Sequence, residues 1–493
     1  MKFNELIKAA ELPLPEEKED FEVKGITSDS RKVCEGFIFV AIEGSSLNGN
    51  NFLKDALTHK AKLIITREQI SEPGLSKMCR RVMDTRKVLA DLCAAFRGRP
   101  SESMKVVGIT GTNGKTTVSY LIEAILKYAR HEPGVIGTIN YRFKNKSFQA
   151  DNTTPGSEEL QALLARMLKE NVDYAIMEVS SHALEQERVR AVRFNSAIFT
   201  NLAVDHLDYH RDQDSYFAAK SKLFKQISEG GFAILNSDDP RAAELSRLTK
   251  AKKLTYGLNN QADLSAGCLR TGLDGTKLLL SLSRQISKDF SNGISSIMLK
   301  VPLIGKHNIY NLLAAVAFAI TQGIDIEIIR LALEGFKGVP GRLERVGAGG
   351  DFLVLVDYAH TEDALRNVIS SLRPLCKGQI RVVFGCGGGR DKSKRPEMGK
   401  VATELAHFAF ITSDNPRNEE PQKIIDDIVS GIEKKNFKVI TDRNEAIKEA
   451  LAQAGKDDII LIAGKGHEDY QIFKDKTIHF DDREVALEYL SRQ

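Results

Sequence analysis

Residues 106–129 read VVGITGTNGKTTVSYLIEAILKYA, and the order of residue types within them decides the fold. Val106, Val107, Gly108 and Ile109 have the β-branched, apolar character of a buried parallel strand, whereas Val118, Leu121, Ile122, Ile125 and Leu126 recur at helical spacing. Between them a glycine-rich turn lets backbone N–H groups approach anionic oxygens, and the start of the following helix adds partial positive charge. In that setting Lys115 would bridge the terminal phosphates of a polyphosphate, and the Thr116 hydroxyl would ligate Mg2+. The general P-loop spacing asks for glycine five residues before Gly114; Ile109 stands there, with glycines at 108 and 111 instead. An ordinary strand–turn–helix corner is the competing reading, and Gly-Lys-Thr in this context argues against it.

Outward from this stretch, strand-like and helical text alternates. DYAIMEVSS, SAIFTNL, GFAILN and KLTYG follow in turn, which points to a doubly wound, mostly parallel sheet. Around residues 262–302 the pattern changes to short polar–apolar alternations, TKLLLSLS and SIMLKVPL, expected of an antiparallel insertion. Helical text returns in NIYNLLAAVAFAITQGI, and Gly338, Pro340 and Gly341 then interrupt the pattern. Beyond them FLVLVDYAH, QIRVVFGCG, HFAFITSDN, FKVITD and DDIILIAGKG supply a second set of parallel-type strands. Residues 1–100 hold the short pieces GFIFVAI and KLIIT and end in the basic, polar FRGRPSESM. The expected architecture is α/β in three domains. A small N-terminal α/β domain spans 1–100, a central P-loop-type doubly wound parallel sheet 101–338, and a C-terminal Rossmann-like α/β domain 339–493.

Composition narrows the class. Apolar residues make up 42% and charged residues 28%, as in a soluble globular protein. The 70 basic and 66 acidic residues leave a net charge of only +4, so nothing argues for nucleic acid. The six cysteines, at 34, 79, 93, 268, 376 and 386, form no CxxC pair, so a reducing cytoplasm is expected rather than a disulfide scaffold. The N-terminal MKFNELIKAAELPLPEEKEDF carries acids where a signal peptide needs an apolar core, and no apolar run approaches the ~20 residues that span a bilayer. Any membrane targeting would therefore come through a partner.

In open α/β sheets ligands collect at the carboxyl ends of strands. Glu178, at the end of DYAIME, is placed to be a second Mg2+ contact, with a solvated strand-end acid as the alternative. The loop after SAIFTNL gathers Asp205, His206, Asp208 and His210; the two histidines lack a third ligand for zinc. Lys220 and Lys222 follow on the helical text DSYFAAKSKLF, where most lysines are solvated. FGCGGGRDKSKRP, SDNPRNEEP and AGKGHEDYQ end three strands of the third domain. Arg390 and Arg417 there are forks suited to carboxylate or phosphate, so a small anionic ligand is expected.

At this point the residues carry a family resemblance. TGTNGKTT (110–117), NTTP (152–155), MEVSSHAL (177–184), NLAVDHLDYH (201–210), GKHNIYNLLAA (305–315), PGRLE (340–344), DYAHT (357–361), GCGGGRDKSKRP (385–396), SDNPR (413–417) and GKGHE (464–468) together resemble the Mur ligases, in the family's order and over essentially the whole chain. The resemblance implies an ATP- and Mg2+-dependent, amide-forming ligase of peptidoglycan synthesis, cytoplasmic and monomeric. It would add meso-diaminopimelate to the D-glutamyl γ-carboxylate of UDP-MurNAc-L-Ala-D-Glu through an acyl phosphate, without inserting into the membrane. It further implies that Ser28, Ser30, Ser45, Ser46 and Leu47 lie near the uridine diphosphate. Asn152, Thr153, Thr154, Ser180, Gln186 and Arg188 would hold the muramoyl dipeptide. Gly111, Thr112, Asn113, Gly114, Lys115, Thr116 and Thr117 would bind ATP with Asn308, Arg342 and Asp357. Lys220 matches a carbamylated lysine that joins Thr116, Glu178 and His206 around Mg2+, and Lys115, Glu178, His206 and Lys220 carry the catalysis. Arg390, Asp414, Asn415, Pro416, Arg417, Gly464 and Glu468 would receive the incoming amino acid. The DNPR form is the one associated with diaminopimelate, and its physical sense is a cation facing the distal carboxylate that lysine lacks. Glu362 departs from the family's usual proline. The same ligase adding L-lysine, a folylpolyglutamate-type ligase without the first domain, and a P-loop ATPase switch remain as alternatives.

Overall fold

The computed structural model describes residues 1–44, 47–206, 209–258, 261–290, 293–347 and 351–492; the assignments of Ser45, Ser46 and Asp208 lie outside them. The first sheet is parallel and runs in sequence order: β1 (Gly25–Thr27), β2 (Phe37–Val40), β3 (Leu63–Thr66) and β4 (Cys79–Arg81). Successive side chains face opposite layers. Ile38, Val40, Leu63 and Ile65 pack with Phe3, Leu6 and Leu92 on one side, and Phe39 and Ile64 pack with Leu53 and Ala56 on the other. β2 and β3 are the two strands legible in the sequence; β1 and β4 span three residues each, too few to show a period.

The central sheet holds the opening stretch. Its strands are β5 (Lys105–Thr110), β6 (Pro133–Ile136), β7 (Asn140–Phe143), β8 (Lys146–Gln149), β9 (Tyr174–Glu178), β10 (Phe194–Phe199), β11 (Ile227–Asn236), β12 (Lys252–Gly257), β13 (Leu264–Gly272), β14 (Gly275–Leu282) and β15 (Ser296–Val301). Among the described residues they lie in the order β15-β14-β13-β12-β11-β10-β5-β9-β6-β7-β8. The sheet from β13 to β6 is parallel, and both ends are antiparallel. The antiparallel text at 262–302 therefore extends the main sheet, because β13 pairs in parallel with β12 before β14 turns back along it. β5 lies between β10 and β9; the chain passes from it to β6 on the β9 side and later crosses from β9 to β10 on the other, which makes its carboxyl end a topological switch point. Val107 and Ile109 face a layer formed by the helices Lys115–Tyr128 and Lys306–Thr321, and Val106 faces the opposite layer with Leu160, Leu164 and Phe224.

The third sheet comprises β16 (Glu344–Val346), β17 (Leu353–Asp357), β18 (Ile380–Phe384), β19 (Phe408–Ile411), β20 (Phe437–Val439) and β21 (Ile459–Ala463), in the order β16-β17-β21-β18-β19-β20. Among the described residues only β16 is antiparallel, so Asp357 at the end of β17, and Gly464, Gly385 and Thr412 directly after β21, β18 and β19, lie on one edge. The architecture is thus the α/β arrangement that the strand text implies. All six cysteines are free, and among the described residues no helix is long and apolar enough to cross a membrane.

Candidate active site

The glycine turn after β5 is shaped from both sides. Gly111 has φ +150° and Gly114 φ +90°, and a Cβ at either would come within 1.9 Å of Thr200 Oγ1 or 2.2 Å of Asn311 Oδ1. Thr112 N–H donates to Asn201 O at 2.9 Å, Asn113 N–H to Asn201 Oδ1 at 3.0 Å, and Thr200 Oγ1 to Asn113 O at 2.6 Å. This bracing leaves the first N–H groups of the helix Lys115–Tyr128, those of Lys115, Thr116 and Thr117, without intrahelical acceptors at the switch point. Lys115 Nζ folds back onto its own loop, donating to Gly111 O and Thr112 O at 2.9 Å each. Burial pushes its ammonium pKa down, against the pull of Glu178 and Asp205.

Glu178 is fully buried, not a solvated strand-end acid. Its carboxylate accepts from Thr116 Oγ1 and Thr138 Oγ1 at 2.8 Å each, from Thr138 N–H at 3.2 Å and from Ser119 Oγ at 3.4 Å. Among the described residues these contacts are all hydroxyl or amide, so the negative charge is hydrogen-bonded without an ion pair. The carboxylate and the hydroxyls around it are hard oxygen donors, which fit Mg2+.

Lys220 departs furthest from the solvated placement that its helical text alone suggests, and lies at the site where the resemblance puts it. The helix Gln213–Lys225 carries it inward, 1% exposed, where Nζ donates to Gly111 O at 2.9 Å and lies 4.4 Å from the centre of the Tyr216 ring. Burial, then the neighbouring Lys115, hold its pKa well below the ordinary lysine value; Asp205 opposes them. Two ammonium groups thus share one carbonyl, a seat that favours a neutral amine. Lys222 stays at the surface in a 3.1 Å ion pair with Glu187. His206, at φ +57°, sits beside Asp205, with its ring centre 6.1 Å from that of Tyr216.

A cleft of about 880 Å³ joins the central and third sheets. Thr112–Thr117, Asn152, Thr153, His206, Asn308, Arg342, Asp357, Arg390, Asp414, Asn415, Arg417, Gly464 and Glu468 all line it. Arg342 reaches from the third domain to within 3.5 Å of Thr116 Oγ1. Asp357 accepts the N–H groups of Leu343 and Ala359, and its pKa is raised by burial. Asn415 Nδ2 donates to Glu468 Oε2 at 2.8 Å; burial, then Asp414, raise the Glu468 pKa. Arg417 Nη1 donates to Gly388 O at 3.0 Å, and Pro416 lines not the cleft but a neighbouring hollow that Arg417 also borders. Asn308 anchors the start of its helix by donating to Ile304 O.

Thr154, Ser180, Gln186 and Arg188 form one hydrogen-bonded wall behind Glu178. Thr154 Oγ1 donates to Glu178 O at 2.8 Å and accepts from Ser180 N–H at 3.0 Å, while Arg188 bonds Thr154 O at 2.8 Å and Gln186 Oε1 at 2.7 Å. Thr153 shares a 3.0 Å hydroxyl contact with Thr138, which ties this wall to the Glu178 carboxylate. Ser28, Ser30 and Leu47 lie on the first domain, away from the cleft lining. Ser30 is buried, Leu47 exposed, and the Ser28 N–H donates to the Glu158 carboxylate of the central domain, which also accepts Thr27 Oγ1 at 3.2 Å.

Several residues of the site went unread in the sequence. Thr138 follows β6 rather than an obvious motif, and its signal is only its position at a strand end beside β9. Asp363 accepts from Asn113 Nδ2 at 2.8 Å and ties the third domain to the glycine turn; no local pattern separates it from any first-turn acid of a helix. His467 lines the cleft with its Nδ1 buried and unpartnered, and burial holds its pKa at about 3.

A P-loop at a sheet switch point, a buried carboxylate beneath it and two arginines across the cleft define a nucleotide-dependent ligase of the Mur type. Residues 109–319 match the Mur ligase middle domain and residues 341–466 the Mur ligase glutamate ligase domain, and the chain belongs to the Mur ligase family. Within it, the chain is 43% identical to a UDP-N-acetylmuramoyl-L-alanyl-D-glutamate--2,6-diaminopimelate ligase of Syntrophomonas wolfei, with 99% of each chain covered. It is 42% identical to the ligase of the same name from Clostridium botulinum, again over 99% of each. A solved structure of a ligase of that name superposes with a TM-score of 0.70 at 31% identity, covering 99% of both chains.

Proposed function

We propose that this protein joins meso-2,6-diaminopimelate to the D-glutamyl γ-carboxylate of UDP-N-acetylmuramoyl-L-alanyl-D-glutamate, at the expense of ATP. The observation that carries the reading is the shared cleft, where the glycine turn faces Arg390 and Arg417. A carboxylate is a poor acyl donor, because its leaving group would be oxide or hydroxide. Transfer of the γ-phosphoryl of ATP to that carboxylate gives an acyl phosphate and ADP; the acceptor amine then attacks the carbonyl, and phosphate departs. The protein supplies positioning and charge, and no covalent nucleophile is needed.

The roles follow the placement of each group. The N–H groups of Lys115, Thr116 and Thr117 at the helix start cradle the phosphates, and Lys115 exchanges its loop carbonyls for phosphate oxygens. Arg342 adds a cation from the opposite domain, and Asn308 and Asp357 border the nucleotide. The wall of Thr154, Ser180, Gln186 and Arg188, with Asn152 and Thr153, orients the dipeptide. The first domain, through Ser28, Ser30 and Leu47, holds the uridine diphosphate. Thr116, Glu178 and His206 would hold Mg2+, which when bound supplies neutralisation of the transferring phosphoryl. Lys220, whose buried seat favours the uncharged amine, would take up carbon dioxide with formation of an N–C bond and loss of a proton, and the carbamate oxygens would join the residues that hold Mg2+. Across the cleft, Arg390 and Arg417 receive the distal carboxylate of the acceptor, with Asp414, Asn415, Gly464 and Glu468 around its ammonium end. An acceptor lacking that carboxylate leaves Arg417 unpaired, which is the basis for preferring diaminopimelate to lysine.

The test is a coupling assay with ATP, the UDP-dipeptide and either amino acid. Phosphate release that requires both cosubstrates, with faster product formation from diaminopimelate, is expected. Faster coupling of lysine would reverse the acceptor assignment, and ATP hydrolysis independent of the acceptor would point to a nucleotide-driven switch instead.

A further inference from the structure

Behind the acceptor pocket lies an ion cluster that contributes no atom to the cleft. Arg395 is completely buried, yet it is charged: Nη1 donates to Glu419 Oε2 at 3.0 Å and Asp427 Oδ2 at 2.8 Å, and Nη2 to Glu419 Oε1 at 2.9 Å and Gly387 O at 3.3 Å. Glu419 Oε1 also accepts the Gly389 N–H at 2.6 Å. The two loops it joins are themselves interlocked. Gly388 N–H donates to Asn415 O at 2.9 Å, Arg417 Nη1 donates back to Gly388 O at 3.0 Å, and a Cβ at Gly388 would lie 2.0 Å from Pro416 O. Arg417 itself is held at φ +52°, a backbone region that arginine adopts at a cost.

We propose that Arg395 and Glu419 are positioning residues that set acceptor selectivity. They clamp the loop 385–393, which carries Arg390 and leads into the helix bearing Arg395, against the loop 413–420, which carries Arg417, and so fix where the two guanidinium forks stand. The argument is geometric. A bidentate fork discriminates only if its donors meet both carboxylate oxygens, and the backbone that aims Arg417 is strained, so it holds its place only while its surroundings over-determine it. Complete burial of Arg395 makes its two carboxylate partners obligatory; a half-satisfied cluster would relax toward solvent and release both loops. The Arg395 hydrogen bond holds the Glu419 pKa at about 2, so the clamp is charged at every working pH.

This inference rests on the ligase reading above. It is tested with Glu419→Gln, which keeps the side chain's shape at a position 22% exposed, and with Arg395→Lys, which keeps the charge but loses the fork. In the coupling assay both variants are expected to raise the KM for diaminopimelate by about tenfold, with kcat and the KM values for ATP and the UDP-dipeptide within about twofold. The ratio of kcat/KM for diaminopimelate over lysine should fall by a similar factor. An unchanged acceptor KM and ratio in Glu419→Gln would overturn the proposal, as would an equal loss toward all three substrates, which a merely fold-maintaining cluster would produce. Wild-type protein that fails to couple diaminopimelate would overturn the ligase reading itself; a selective wild type with equally selective variants would overturn the clamp alone.

Discussion

Lys220 has a side chain that sequence assigns to solvent and that the fold removes from it. On DSYFAAKSKLF, Lys220 and Lys222 are two residues of one type on one helix, and only tertiary packing separates a buried amine on Gly111 O from a surface ion pair with Glu187. Glu178 is the converse case: a strand-end acid beside the P-loop strand is legible as a candidate, but its hydroxyl shell from Thr116 and Thr138 is not, because Thr138 comes from the turn after β6. Replacing Lys220 with alanine is expected to lower turnover by about 10²–10³-fold, the range for losing one charge-stabilising group. Acetate or formate added to the assay should recover part of that loss by supplying carboxylate oxygens. Wild-type turnover in the unsupplemented alanine variant would remove Lys220 from the chemistry.

At the scale of elements, the glycine turn is where local conformation and ligand binding coincide. Gly114 opens its helix at φ +90° with Asn311 packed against it, so Gly114→Ala introduces strain of ~1–3 kcal/mol besides the steric conflict. Affinity for a fluorescent ADP analogue should fall by about tenfold or more, since each 1.4 kcal/mol is a factor of ten. Gly267→Ala on β13, where a Cβ would meet nothing within 4 Å, should leave that affinity unchanged. The long strands and the helix after the turn were legible because their apolar periods are complete. The three-residue β1 and β4 were not, and neither was the fusion of the 262–302 strands to the main sheet, since pairing partners are a property of space and not of the local text. The cleft arginines 390 and 417 were legible from residue type and strand-end position. Their clamp was not, because Arg395 reads as one more basic residue in DKSKRP until its burial is known.

For the whole molecule, acid should act at the junction of the second and third domains. His307 and His467 both line the shared cleft, and burial holds their pKa values at about 4 and about 3, below the ordinary 6.5. The unfolded chain therefore binds more protons than the folded one between pH 6.5 and those values. Their contribution to stability is fully present above about pH 6.5 and is lost progressively as the pH falls. Urea midpoints measured from pH 7 to pH 4 should decline, and less steeply in His467→Gln; equal slopes would show that His467 carries no such linkage.

The bracing of the glycine turn by Thr200 and Asn201 has a bearing on biosynthesis. Both neighbours of β5 emerge later in the chain, β10 some ninety residues after it, so a nascent polypeptide on the ribosome carries the GTNGKTT letters long before it has the means to hold them in shape. A translation product halted short of Asn201 would thus be blind to nucleotide, and ATP stabilises this protein only after the middle of its central domain has been made.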